Sequence, residues 1–320
     1  MKQTEELQSP YSALVLWFTR AISTLSIITI ILLLCLSLSI FIGGGIIGQQ
    51  LNNHNDNAQI RETTLSLLAT SQEMRRREKD FVVRKDFVFS EKYFQLSNQA
   101  MQAVDKLKAM KQGEKYYKII SQLGESLQRH NQQFGLTLLI MQNLGLDKSK
   151  GLLGEIDNTS RAINKAMVDA NYGPEIKNLF LTMNLLYLNS LTDGTQIDSQ
   201  PMVQLANNAK TEISKLPGNK AANVQIINLI DQYVLEYNNI LQQSKIYTTE
   251  LAKLTTIFRD FEIGIDALVD ITNAASRSSS DDLEVSIGNW ELYVGWLSLL
   301  GILLVGIITV IILRKIIKNR

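Results

Sequence analysis

One cysteine, two histidines and four prolines serve 320 residues, and each shortage removes a class of explanation. The single cysteine, Cys35, lies inside an apolar run, so no disulfide framework staples the chain. With only His54 and His130 to join it, a His/Cys zinc site has no ligand set, and neither a metal nor a cofactor is expected. A cation held by carboxylates alone stays open. Charge of one sign is missing too: the formal net charge is +1, with acids and bases mixed along the chain, which leaves no electrostatic footprint for nucleic acid. Glycine and proline are absent between Gln49 and Gln112, a stretch rich in Gln, Leu, Ala, Lys and Glu, so helix is expected there and strand signals are nearly lacking.

What the chain does have is two long apolar runs, residues 22–48 and 292–313, each without a charge. Both reach the roughly 20 residues needed to cross about 30 Å of hydrocarbon, so they read as transmembrane helices. Arg314, Lys315, Lys318 and Arg320 after the second run, with Lys2 and Arg20 before the first, place both ends in the cytoplasm. The first run is about twice as long as the core of a signal peptide, which favours a retained anchor over a cleaved leader. Trp17, Phe18, Trp290 and Tyr293 suit the interfacial belts. The organisation expected is a cytoplasmic tail (1–21), a first span (22–48), an extracytoplasmic block (49–291), a second span (292–313) and a basic cytoplasmic tail (314–320).

Breakers in the block cluster at Gly113, between Leu144 and Gly154, at Gly173-Pro174, from Thr192 to Pro201 and at Pro217-Gly218, dividing it into helices joined by short turns. The block also repeats itself. Gln95 to Leu107 (QLSNQAMQAVDKL) aligns with Gln204 to Leu216 (QLANNAKTEISKL), and Ile119 to Phe134 aligns with Ile226 to Leu241, where Arg129-His130-Asn131 faces Glu236-Tyr237-Asn238. The displacements, 109 and 107 residues, agree within a short indel and point to duplication of a three-helix unit. By analogy with the second copy, the first copy turns near Lys85-Asp86. The last helix, from about Asn219, is expected to run straight into the second span. The fold class is therefore all-α: two transmembrane helices flanking a six-helix extracytoplasmic region that forms two stacked four-helix bundles.

The most distinctive string is Met74 to Asp86, MRRREKDFVVRKD. With Leu67, Met74, Phe81 and Val88 at heptad a, the d positions become Thr70, Arg77 and Arg84, which aims two arginines at the seam. Glu73 can pair with Arg77, and Asp80 with Arg84, in the favourable acid-first order. In one reading these pairs only satisfy each other while Arg76 and Lys79 face solvent. In the other, seam guanidiniums grip the carboxylate of a small anionic ligand. An arginine without an internal carboxylate would favour a ligand pocket, and a fully paired seam a structural role.

Arg75 to Asp86, with Glu78-Lys79-Asp80-Phe81 followed by Arg84 and Asp86, resembles the RR-x-EKDF-x-x-R-x-D string of the helical bimodular sensor domain. That domain occurs in bacterial methyl-accepting chemotaxis receptors and membrane sensor histidine kinases. The string Leu144 to Glu155, LGLDKSKGLLGE, is similar to the turn and GL-x-GE stretch that opens the family's second module. The resemblance implies two stacked four-helix bundles, homodimerisation and recognition of small organic acids such as tricarboxylic-acid-cycle intermediates or acetate. It carries Arg76, Arg77 and Arg84 over as ligand contacts, with Glu78 and Asp80 as organisers.

The chain departs from the family in three places. Asp157 and Arg161 stand where an arginine and then a histidine usually follow the GL-x-GE stretch, and Leu181 to Gly194 lacks the basic residues of the aligned segment in the first copy. No relay, methyl-accepting or kinase motif follows the second run, and no nucleophile is paired with a base. The chain alone is therefore expected not to be an enzyme, and to act either as the input half of a receptor or through a cytoplasmic signalling partner. Gly44 and Gly48 offer a GxxxG face for a dimer, and the polar run Ser276 to Asp282 is read as a solvated helix face. The competing class is a structural or partner-binding membrane protein with no small-molecule ligand.

Overall fold

The computed structural model describes residues 10–146, 149–193, 198–217 and 220–318. The first nine residues of the N-terminal tail, Asp147 and Lys148 of the LGLDKSKGLLGE string, Gly194 to Ile197 of the Thr192 turn, Gly218 and Asn219, where the last helix is expected to begin, and the last two tail residues lie outside that set. Among the described residues the protein is all-helical, with seven α-helices: α1 (Pro10–Arg84), α2 (Phe87–Ala109), α3 (Tyr117–Leu144), α4 (Gly151–Asp169), α5 (Pro174–Asp193), α6 (Gln200–Lys215) and α7 (Lys220–Lys318). α1 and α7 each carry a stretch long and apolar enough to cross a membrane, and none of either stretch is buried within the chain.

The turn between α1 and α2 falls at Lys85-Asp86, with neither glycine nor proline. Lys85 takes a left-handed backbone (φ 54°), and Asp86 Oδ1 accepts the Val88 N–H at 3.0 Å, capping the next helix. The six helices expected of the 49–291 block become seven because α4 stands between the breakers near Gly151 and Gly173, separate from α5. The GLLGE string has a steric basis. Gly151 sits at φ 57°, where a Cβ would come within 2.5 Å of the Asn143 carbonyl oxygen, and a Cβ on Gly154 would meet the Ser149 carbonyl carbon at 2.5 Å. Only glycine lets α3 turn into α4 this tightly.

The chain divides into two compact units, one of Met1–Glu62, Met110–Gln112 and Val269–Arg320, the other of Thr63–Ala109 and Gly113–Leu268. In the first, α1 and α7 are joined by Arg61 Nε donating to Asn273 Oδ1 at 2.7 Å, and Gly43 lies against the Trp290 ring with no room for a Cβ. Gly44 and Gly48 meet nothing. The polar run before the second apolar stretch is mostly a solvated face, with Arg277, Ser278, Ser280, Asp281 and Asp282 exposed, but Ser276 and Ser279 turn inward and are buried. Ser279 donates to the Ser276 carbonyl at 3.0 Å, so this small hydroxyl can be enclosed without an external partner.

The second unit contains two apolar cores. The first draws on α1 (Leu67, Met74, Phe81), α2 (Tyr93, Val104), α3 (Leu127, Phe134) and α7 (Phe261, Ile265), all fully buried. The second is built from α4 (Ile156, Ile163), α5 (Phe180, Met183), α6 (Met202, Ile213) and the start of α7 (Ile230, Tyr233). Burial follows the sequence repeat. Ser97 and Ala206, Ala100 and Ala209, Val104 and Ile213, and His130 and Tyr237 are aligned pairs, and every member is buried.

The expected seam on α1 is half right. Leu67, Met74 and Phe81 are buried, but Val88 is exposed because α1 ends at Arg84, and Arg77 and Arg84 do not face inward. The second line of the seam is Thr64, Ser71 and Glu78, three residues before each apolar position instead of three after. Both lines satisfy a 3-4 spacing, so periodicity does not choose between them. Desolvation does: one carboxylate with partners is cheaper to enclose than two guanidiniums whose long stems can carry them to water.

Candidate functional site

Because the seam brings Glu78 inward from α1, an acid lies in the first core with only 2% of its side chain exposed. Arg75, one turn earlier, forms an ion pair with Glu78 Oε1 and stacks over the Phe258 ring of α7, its guanidinium 4.9 Å from the ring centre. From α3, His130 Nε2 approaches Glu78 Oε2 at 3.0 Å, and neither atom has a hydrogen-bond partner. The other ring nitrogen, Nδ1, is 2.7 Å from the Tyr93 hydroxyl of α2. Tyr93 and Ser97 both donate to Asn131 Oδ1, at 2.9 and 2.5 Å. α1, α2 and α3 thus meet in one charged and polar chain, and α7 adds the Phe258 ring under Arg75. Burial, reinforced by the Glu78 charge, pushes the Tyr93 phenol far above its usual range.

The arginines expected to contact ligand stand on the flank of α1. Arg77 is held by Glu73 and by Asp80 at 3.4 Å. Arg76 is 71% exposed and reaches Glu73 only at 3.9 Å; Arg84 is 64% exposed, reaches Asp80 only at 3.9 Å, and lies over the Phe89 ring. Every one of these guanidiniums therefore has a carboxylate within reach. Asp80 lies beside Arg77 and Arg84, whereas Glu78 points the other way, toward Arg75 and His130. In the sequence, His130 and Asn131 attract notice only through the repeat, and Tyr93 through nothing at all.

The second core holds a smaller version. Glu236 of α7 accepts Thr159 of α4 at 3.0 Å and Gln232 at 2.8 Å. Where the neutral segment of α5 has lost the charges of the first copy, Asn184 accepts hydrogen bonds from Tyr233 at 2.9 Å and Ser160 at 3.1 Å. Arg161 pairs with Asp157 at 3.1 Å on an exposed face.

Where the last turn of α1, the α3–α4 turn, the start of α4, the end of α5, the approach to α6 and the middle of α7 come together, they border a half-open cavity of about 790 Å³. Met141, Leu144, Leu153 and Leu241 form apolar walls, and Lys85, Asp198, Lys245 and Tyr247 bring polar groups to it. The Tyr247 hydroxyl is buried without a hydrogen-bond partner, and burial, followed by the Glu78 charge, pushes its pKa up to about 12. Just below, Gln133 of α3 donates to Glu250 of α7 at 2.8 Å. Hydrogen bonds from Lys253 and then Gln133 hold that carboxyl below its ordinary range. Among the described residues no group of His, Cys, Asp and Glu is arranged to hold a metal ion. In comparisons with known proteins, no family model and no curated protein matches the chain.

Proposed function

We propose that this chain is a membrane-anchored sensory input module that binds a small organic anion outside a bacterial inner membrane and passes a helix displacement inward. The two cores are read as two end-to-end four-helix bundles of the helical bimodular kind, with both termini cytoplasmic and two copies forming a homodimer. The carrying observation is that α1 and α7 each combine an outward-facing apolar stretch with residues of the buried Glu78 network: Glu78 and Arg75 on α1, Phe258 on α7. A ligand that prefers one packing of α1 against α7 shifts that equilibrium by its difference in affinity for the two packings. No catalytic step is assigned. Of the three arginines, Arg77 is committed to internal acids, while Arg76 and Arg84, held only loosely, can turn to an anion.

A structural or partner-binding role is the second reading, and the presence of an internal carboxylate within ion-pair distance of Arg75, Arg76, Arg77 and Arg84 favours it. The two separate in a thermal-shift screen of the full chain in detergent against small organic acids. A ligand at about 100 times its dissociation constant raises stability by about 2.7 kcal/mol. A shift reduced by Arg84→Ala or Arg76→Ala, together with a ligand-dependent change in the distance between spin labels on α1 and α7, supports the sensor. Binding without any change in that distance sinks it.

A further inference from the structure

We infer that the 790 Å³ cavity beside the α1–α2 turn is a binding site for an amphiphilic organic monoanion, a molecule with one carboxylate-like head and an apolar body larger than a two- to four-carbon acid. Its volume lies within the range of small-molecule pockets, about 300–1,000 Å³, and its mixture of apolar walls with a few convergent polar groups is the usual make-up of such sites.

The polar groups sort by whether they are already satisfied. Ser190 donates to the Tyr187 carbonyl at 2.6 Å, Thr248 to the Lys245 carbonyl at 2.9 Å, and Asp198 accepts the Gln200 N–H at 2.9 Å at the start of α6. What remains is Lys85, Lys245 and the hydroxyls of Ser244 and Tyr247. Neither lysine has a carboxylate within ion-pair distance among the described residues, in contrast to the arginines of α1. Two ammonium groups and a phenol O–H, set against the single acid Asp198, leave a surplus of donors and of positive charge that one anionic head would balance.

Lys85 adds a second argument. Its φ of 54° is a conformation that favours glycine or asparagine, yet a lysine stands there, so the side chain is kept at a backbone cost. A second concavity, of about 720 Å³, lies at the far end of α4 and α6 and offers less, because its Tyr172 hydroxyl is already donated to Asn223. The inferred site touches α1 through Val82, the turn after it through Lys85, and α7 through residues from Leu241 to Thr248, so its signalling consequence rests on the sensor reading above.

Isothermal titration of the full chain in lipid nanodiscs with octanoate, 3-phenylpropionate and 2-naphthoate, each matched to its neutral alcohol and compared with succinate, tests the inference. At least one of the three carboxylates is expected to bind, with its alcohol and succinate at least tenfold weaker. Lys85→Gln and Lys245→Gln, both at exposed positions that leave the fold intact, are each expected to weaken binding about tenfold. Ser244→Trp, which fills the cavity, abolishes it with helix content unchanged by circular dichroism. Failure of all three carboxylates to bind, or binding indifferent to both lysine variants, overturns the site. If the three carboxylates fail to bind while succinate binds and is lost in Arg84→Ala, the cavity is wrong and the sensor reading stands. If lysine-dependent binding leaves the spin-label distance unchanged, the site stands and the sensor reading falls.

Discussion

Glu78 shows how much depends on a single carboxylate. It is enclosed with Arg75 beside one oxygen and His130 Nε2 3.0 Å from the other, so removing it strands a guanidinium and an imidazole in the core. Glu78→Ala is expected to cost about 3–5 kcal/mol, the usual penalty for breaking a buried ion pair from one side. Arg76→Ala, on the exposed flank, should stay within about 0.5 kcal/mol. Urea unfolding of the detergent-solubilised chain followed by circular dichroism measures both, and equal costs would show that the network does not matter. A second expectation concerns alkaline pH. Burial first, then the charges of Asp157 and Glu78 respectively, pushes Tyr187 and Tyr247 up to about 12. A phenol whose folded pKa is raised stabilises the fold fully below its unfolded value near 10, and that contribution disappears as pH rises through 12. The midpoint of thermal unfolding should therefore fall between pH 10 and 12, together with the appearance of tyrosinate absorbance. A flat profile would place these hydroxyls in water.

Helix boundaries are decided by backbone sterics, and here the glycines divide into two kinds. Gly151 and Gly154 hold the α3–α4 turn against neighbouring backbone, which cannot yield, so Gly151→Ala and Gly154→Ala should each destabilise by more than about 1 kcal/mol. Gly135, in the interior of α3 with open space beside it, should behave oppositely, and Gly135→Ala should stabilise by about 0.5–1 kcal/mol. Thermal unfolding of the three variants checks the sign as well as the size. The α1 seam teaches a related lesson about elements. Spacing located Leu67, Met74 and Phe81, but the partner line was settled by which neighbours could accept burial: Glu78 had Arg75 and His130 to receive it, while Arg77 found Glu73 and Asp80 on the flank and Arg84 stayed exposed.

At the scale of the molecule, the apolar stretches of α1 and α7 make a topological prediction. In a Cys35→Ser background, a cysteine replacing exposed Arg76 should react with a membrane-impermeant maleimide added outside spheroplasts. One replacing Lys318 should react only after the membrane is opened. Labelling of both from outside would invert or abolish the proposed two-span arrangement. The native Cys35, inside the first apolar stretch, should resist the reagent throughout.

The sequence by itself determined the helical class, the two apolar stretches, most helix ends, including the unmarked turn at Lys85-Asp86, and the apolar half of the α1 seam. Apart from that turn, which is read from the internal repeat, these properties follow from composition and local spacing, which are carried by neighbouring residues. Tertiary structure decided which charge goes inside and where space is left. Glu78 is buried because His130, 52 positions away, and Phe258 on α7 arrive beside it. The cavity exists because the ends of several helices fail to fill the volume between them, with Lys85 and Lys245 left at its edge. Neither outcome has a local signature, since each depends on packing between segments that meet only once the chain has folded.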